Sequence, residues 1–149
     1  MKILIAFATL SGNTQMVSEH LDEYLKTKGH DVTLMNQDDL DPGQMNDYEL
    51  VLLSSSTWGD GEPNPTSEVY MQKLKDHAEP FGAVKFAVFG LGDSSYAHFC
   101  GIVDRFVELL KEKGKEPVVE SFKIDGYPED AVLTSVDEWA DKAIAACTT

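Results

Sequence analysis

Lys2-Ile3-Leu4-Ile5-Ala6-Phe7-Ala8 runs straight into Thr9-Leu10-Ser11-Gly12-Asn13-Thr14, and Val17, Leu21 and Leu25 then recur at every fourth residue. The first stretch is continuously apolar from Ile3, as a strand buried on both faces should be. The spaced Val and Leu positions mark one face of a helix, which Gly29 ends where a C′ glycine belongs. Between strand and helix lie Thr9, Ser11 and Thr14 hydroxyls, the Asn13 amide and Gly12. A buried strand, a short polar loop and a helix together form the opening unit of a parallel α/β sheet.

The alternation continues along the chain. Asp31 to Met35, Glu49 to Leu53, Val84 to Phe89 and Glu116 to Ile124 read as the second to fifth strands. Asn64-Pro65 opens a helix to about His77, with Asn as N-cap and Pro in the first turn. Phe99, Val103, Phe106 and Leu110 mark the next helix, which Gly114 ends; Val132, Val136, Trp139 and Ala143 give the last one its inner face. Five strands alternating with four helices imply an α/β, doubly wound parallel sheet with helices on both faces, and residues 1–149 as a single domain. Function in such a sheet sits at the carboxyl ends of the strands, where the strand order reverses. The loops after the first, third and fourth strands are therefore the ones that matter.

Composition narrows the class. The chain has 149 residues, 42% of them apolar and 26% charged, which suits a soluble globular protein. No apolar run approaches the roughly 18 residues of a membrane span, and the apolar run after Met1-Lys2 is too short for a signal peptide, so a cytoplasmic location is expected. Cys100 and Cys147 make neither a disulfide framework nor a zinc site. Twelve basic against 26 acidic residues leave a net charge of −14, which repels nucleic acid and anionic membrane and draws in basic partners. No Lys or Arg occurs from Asp31 to Gln72, yet Asp31, Asp38, Asp39, Asp41, Asp47, Glu49, Asp60, Glu62 and Glu68 all do.

The first loop suits a phosphate held by uncharged donors: helix N-terminal N–H groups supply attraction and the hydroxyls add hydrogen bonds. It has neither the Gly-Lys-Ser/Thr of a Walker loop nor the GxGxxG of a dinucleotide fold. After the third strand comes Ser54-Ser55-Ser56-Thr57-Trp58-Gly59-Asp60-Gly61-Glu62-Pro63, with a large aromatic on a glycine-flanked turn. Such an aromatic is more often a contact than core. After the fourth strand comes Gly90-Leu91-Gly92-Asp93-Ser94-Ser95-Tyr96-Ala97-His98-Phe99-Cys100-Gly101, where the glycines permit close backbone approach and Tyr96 is a second aromatic. A phosphate cradle flanked by two aromatics implies a flat, singly phosphorylated aromatic ligand. No metal cluster, Ser-His-Asp order or paired catalytic carboxylates compete with it. His20, His30 and His77 carry no motif.

At these residues the chain resembles a flavodoxin of the short-chain type. The resemblance covers essentially the whole sequence and rests on Ser11-Gly12-Asn13-Thr14, Thr57-Trp58-Gly59-Asp60, and Gly92-Asp93-Ser94-Ser95-Tyr96 through Phe99-Cys100-Gly101, in order at matching strand ends. It implies the flavodoxin-like strand order 2-1-3-4-5, with non-covalent FMN at the switch point. By similarity, Thr9, Ser11, Asn13, Thr14 and Ser56 would hold the phosphate, with backbone N–H groups around Leu10 and Gly12. Trp58 would cover the inner face of the flavin ring and Tyr96 its outer face, with Thr57, Asp60, Gly61 and Phe99 completing the loops. Backbone groups near Asp93, His98 and Cys100 would bond the pyrimidine edge, and Gly92 belongs to the same cofactor-binding loop. The Gly59 carbonyl would turn toward N5 on reduction, a move that glycine permits. Leu10 stands where many members carry Thr and Gln15 where many carry Glu, and the long-chain insertion in the fifth strand is missing. Gly61-Glu62-Pro63-Asn64-Pro65 is more similar to the FMN domains of diflavin and sulfite reductases.

The resemblance implies a low-potential one-electron carrier rather than an enzyme, shuttling between semiquinone and hydroquinone. The acidic stretch would oppose the extra negative charge of the fully reduced ring. Expected partners are basic redox proteins, a reductase donor and an acceptor enzyme, docking transiently on the acidic face of a monomer. Two alternatives share the fold: an FMN-dependent NAD(P)H or quinone reductase, and an accessory factor for one biosynthetic enzyme. A phospho-acceptor signalling domain would need acidic residues after the first strand, where Phe7-Ala8-Thr9 stands.

Overall fold

The first strand is β1 (Lys2–Ala8), and the chain leaves it through α1 (Asn13–Thr27) to reach the edge strand β2 (Asp31–Asn36) on one side. It then crosses to the other side of β1 as β3 (Leu50–Trp58), and continues outward through α2 (Pro65–Asp76), β5 (Lys85–Gly92), α3 (Gly101–Glu112), β6 (Phe122–Asp125) and α4 (Asp130–Cys147). A two-residue β4 (Glu62–Pro63) folds back antiparallel on the end of β3. The computed structural model describes residues 1–8, 12–58, 62–63, 65–93, 95 and 100–148, with 57, 58, 62 and 63 as backbone only.

The long strands lie in the order β2-β1-β3-β5-β6, all parallel, which is the expected 2-1-3-4-5 arrangement. Register is fixed by alternation. Ile3 and Ile5 of β1, Leu50 and Leu52 of β3, and Ala87 and Phe89 of β5 face α1 and α4, where Val17, Leu21, Leu25, Val136 and Ala143 meet them. Leu4, Ala6, Val51, Leu53, Phe86 and Val88 point the other way onto α2 and α3, against Tyr70, Leu74, Val103 and Phe106. A one-residue slip would exchange the two sets, so both cores enforce the same pairing. On the first face, α1 and α4 are also joined by His20 Nε2 bonded to both Asp137 oxygens at 2.9 and 3.0 Å, and by Tyr24 Oη donating to Asp141 at 2.6 Å. No helix among the described residues is long and apolar enough to cross a membrane.

The fifth expected strand, Glu116 to Ile124, is corrected: only Phe122–Asp125 pairs with β5. Pro117 has no N–H to give a ladder. The Glu120 carbonyl is taken by Trp139 Nε1 at 2.8 Å, and the indole packs edge-on against Phe89 at 5.6 Å. Val118 keeps one bond, to the Phe86 carbonyl at 2.9 Å. The third strand, expected to stop at Leu53, instead continues through Ser54, Ser55 and Ser56, which still pair with β5.

Candidate cofactor site

The order reverses between β1 and β3, and the buried polar side chains of the described residues gather there. Helix α1 begins on Gly12, whose φ of 88° lies in the left-handed region that glycine reaches without strain. A glycine N-cap brings no side-chain oxygen to the first-turn amides, and that turn carries no carboxylate. Thr14 follows one residue into the helix and is fully buried, yet its Oγ1 has no hydrogen-bond partner among the described residues. Native proteins rarely leave such an atom orphaned without a ligand, ion or water to meet it.

Around Thr14 the buried side chains are paired. Ser18 Oγ donates to the Thr14 carbonyl at 2.8 Å and lies 3.2 Å from Ser54 Oγ. Gln37, fully buried just after β2, donates its amide to the Ala6 carbonyl at 3.1 Å and the Ser54 carbonyl at 2.9 Å. Its oxygen accepts from Ser67 Oγ of α2 at 3.4 Å, and Ser67 is hydrogen-bonded to Ser55 Oγ. The polar layer joins α1, β1, β3, α2 and the turn after β2. Sequence reading named Thr14 and Ser56 but passed over Gln37, Ser18 and Ser67. The available signal was polarity at core-facing positions: Ser67 precedes the buried Tyr70 and Leu74 by i+3 and i+7.

The far side of the site is built from the end of β5. A Cβ on Gly90 would lie 2.5 Å from Val103 Cγ2 and 2.8 Å from the Ser55 carbonyl; one on Gly92 would lie 3.0 Å from both the N and Sγ of Cys100. The close approach read from these glycines is therefore to α3, β3 and Cys100. Cys100 is the N-cap of α3, with φ 53°, and its buried thiol reaches the Gly90 and Ile124 carbonyls at 3.7 Å each. Burial pushes that thiol up to about 12, so it stays protonated. Asp93, at the mouth of the loop, accepts from the Ser95 hydroxyl at 2.7 Å and the Ser95 N–H at 2.9 Å, which holds its carboxyl below the usual range.

Of the expected site residues, Gly12, Asn13, Thr14 and Ser56 fall at the β1/β3 ends, and Gly92, Asp93 and Cys100 at the β5 end. Thr57 and Trp58 close β3, where the backbone alone is described. Thr9, Leu10, Ser11, Gly59, Asp60, Gly61, Tyr96, His98 and Phe99 lie outside the described residues.

Comparison with known proteins decides the family. The flavodoxin family profile matches residues 5–139. The chain is 36% identical over 144 residues to the flavodoxin of Maridesulfovibrio salexigens, covering 95% of this chain and 98% of that one. The chain belongs to the flavodoxin family. The crystal structure of oxidised Flavodoxin 2 from Bacillus cereus superposes with a TM-score of 0.89 at 35% identity, over 97% of this chain and 99% of that chain. The likeness to reductase domains is also real: the sulfite reductase [NADPH] flavoprotein alpha-component of Thiocapsa roseopersicina is 33% identical over 119 residues, 79% of this chain and 23% of that protein. Flavodoxins are FMN-binding electron carriers, and the described residues fit that cofactor at its phosphate end. The Thr14 hydroxyl, without a partner among the described residues, and a first turn of α1 whose glycine N-cap brings no side-chain bond offer donors, and no Lys or Arg stands in residues 9–14.

The acidic stretch read from the sequence is not one face of this flavodoxin. Asp31, Asp47 and Glu49 stand at the amino ends of β2 and β3, whereas Asp38 and Asp39 follow the carboxyl end of β2. The sorting of the bases is sharper. Lys2 and Lys85 open β1 and β5, and Lys26, Lys28, Lys73, Lys75, Lys111, Lys113 and Lys115 close or follow α1, α2 and α3. Helices run antiparallel to the strands they connect, so these nine of the twelve bases lie at the amino end of the sheet, where they also complement the helix dipoles. The carboxyl end holds Asp38, Asp39, Asp93, Asp125, Glu129 and Asp130. Arg105 and Lys123 lie nearer the carboxyl end and acids such as Asp76, Glu112 and Glu116 stand among the bases at the amino end, so what distinguishes the site end is its scarcity of bases.

Proposed function

We propose that this chain holds FMN non-covalently at the carboxyl ends of β1, β3 and β5 and passes single electrons between basic partner proteins. Thr9, Ser11, Asn13, Thr14 and Ser56 take the phosphate; Trp58 and Tyr96 flank the ring; backbone groups at Gly59, Asp93, His98 and Cys100 address its polar edge. The observation that carries the reading is the fully buried Thr14 hydroxyl at the start of α1, which has no partner among the described residues. Bound FMN supplies the redox chemistry. The protein's own part is to bind the phosphate with neutral donors and to keep carboxylates around the ring, where they oppose its last negative charge.

The scarcity of bases at the site end supports the partner reading. Carboxylates with few bases beside them orient an approaching basic protein before contact, which speeds encounter and makes it salt-dependent. The working unit is a monomer, and among the described residues the exposed large hydrophobics are Val69 and Tyr127. All long strands join one sheet, which supports residues 1–149 as one domain. The test is the visible spectrum of the purified protein. Oxidised-flavin bands that acid releases as FMN are expected, followed by two separated one-electron stages in a redox titration. Colourless protein that takes up no added FMN would overturn the cofactor, and steady NAD(P)H oxidation by the isolated chain would replace the carrier by a reductase. Electron-transfer rates indifferent to ionic strength would remove the docking proposal alone.

A further inference from the structure

We propose that Gln37 is a positioning residue for the phosphate end of the bound flavin nucleotide, its buried amide tying the ends of β1 and β3 to the first turn of α2. The inference rests on the FMN reading above and goes one layer beneath it. Gln37 is wholly buried and makes three hydrogen bonds, with both of its donors spent on main-chain carbonyls of adjacent strands. Those carbonyls belong to Ala6, two residues before the end of β1, and Ser54, two residues before Ser56. These are the points from which the chain leaves toward the two phosphate-binding segments. The ladder already sets the spacing of the two strands up to Ala8 and Ser55, and the planar amide braces that paired end against α2.

A second arm reaches the same place. Ser54 is held by its carbonyl from Gln37 and by its hydroxyl from Ser18, which in turn donates to the Thr14 carbonyl. The path Gln37–Ser54–Ser18–Thr14 ends on the residue whose own hydroxyl has no partner among the described residues. The third arm, through Ser67 to Ser55, anchors the opposite wall. If the position needed only filling, an apolar side chain of the same length would fill it without the cost of desolvating an amide. What an apolar side chain cannot do is bridge two strands and a helix at fixed hydrogen-bond distances.

The experiment compares FMN with riboflavin, which has the same ring and lacks the phosphate. Dissociation constants for both are measured by flavin-fluorescence quenching on flavin-free protein, wild type and Gln37→Met. Loss of positioning should weaken FMN about tenfold while riboflavin stays within about twofold, so that preference for the phosphate falls. Ser18→Ala, which cuts the second arm without touching the first, should act in the same direction by about threefold, and it carries the test if Gln37→Met does not fold. Equal losses for both ligands would make Gln37 a general prop and overturn the inference. A wild-type protein with no preference for FMN over riboflavin would instead overturn the phosphate reading beneath it, a failure visible before any variant is made.

Discussion

Two consecutive stretches of β3, Leu50 to Leu53 and Ser54 to Ser55, are equally buried and chemically opposite. Leu50, Val51, Leu52 and Leu53 are completely inaccessible, and so is Ser54, with Ser55 at 1%. The first half packs against helices on both faces of the sheet. The second half makes hydrogen bonds to Ser18, Gln37 and Ser67. Burial follows from the position of the strand in the middle of the sheet and is complete from Leu50 to Ser55. Polarity within that burial has no packing explanation, since each hydroxyl must be paired merely to break even. A core strand that turns polar while staying buried therefore marks where the fold gives way to the site.

The comparison predicts different failures for the two halves. Leu52→Ala removes side-chain bulk from beneath α1 and α4 and should lower unfolding free energy by about 2–5 kcal/mol, read from denaturant midpoints. The fraction that remains folded should bind FMN as the wild type does. A comparable loss of FMN affinity would mean that the halves are not independent. Gly90→Ala tests the junction between them. Its Cβ would collide with Val103 on one side and the Ser55 carbonyl on the other, and the carbonyl is backbone that cannot rotate away. A cost of about 1–3 kcal/mol is expected, together with weaker FMN binding, because the strain lands on the polar half.

The sequence makes the apolar half legible and the polar half only partly so. Ile3 to Ala8 and Leu50 to Leu53 read directly as buried strands, and Gly29 and Gly114, at φ 88° and 79°, end α1 and α3 where expected. Strand order follows from the βαβ alternation and the family resemblance together. Period-based reading loses β3 at Ser54, because a serine run looks like a loop when nothing in the local pattern shows that neighbours on three other elements will satisfy it. Gln37 is invisible for the same reason: it stands beside Asp38 and Asp39 and reads as one more surface polar residue. The fifth strand fails in the opposite way. Its Val118 and Val119 have strand-like character, but Pro117 and the demand of the Trp139 indole on Glu120 keep them out of the ladder.

Ser54→Ala probes the polar half with a smaller change. The Ser54 carbonyl keeps its bond from Gln37, while Ser18 loses one partner and retains the Thr14 carbonyl. One net hydrogen bond is at stake, about 1 kcal/mol of stability. A loss as large as that of Leu52→Ala, by the same denaturant measurement, would show that the polar layer supports the fold as strongly as the core does.

The smallest expected effect is at Cys100, where the apolar core meets the β5 end of the site. Its thiol is buried between the Gly90 and Ile124 carbonyls, and desolvation raises it from 9.0 to about 12, with nearby Lys123 opposing only in part. A thiol reagent needs the thiolate and a path to it, and the folded protein supplies neither at pH 8. Mass spectrometry after alkylation at that pH should find Cys100 unmodified in the native protein and modified after unfolding. Because the folded state holds the proton more tightly than the unfolded one, the stabilising contribution of the neutral thiol is complete below pH 9 and is lost as pH rises from 9 toward 12. Replacing Cys100 with Ala should therefore flatten that part of the alkaline stability curve while leaving the acid side unchanged. Rapid native labelling at pH 8 would mean that the junction between core and site opens far more readily than its packing around Gly90 and Gly92 implies.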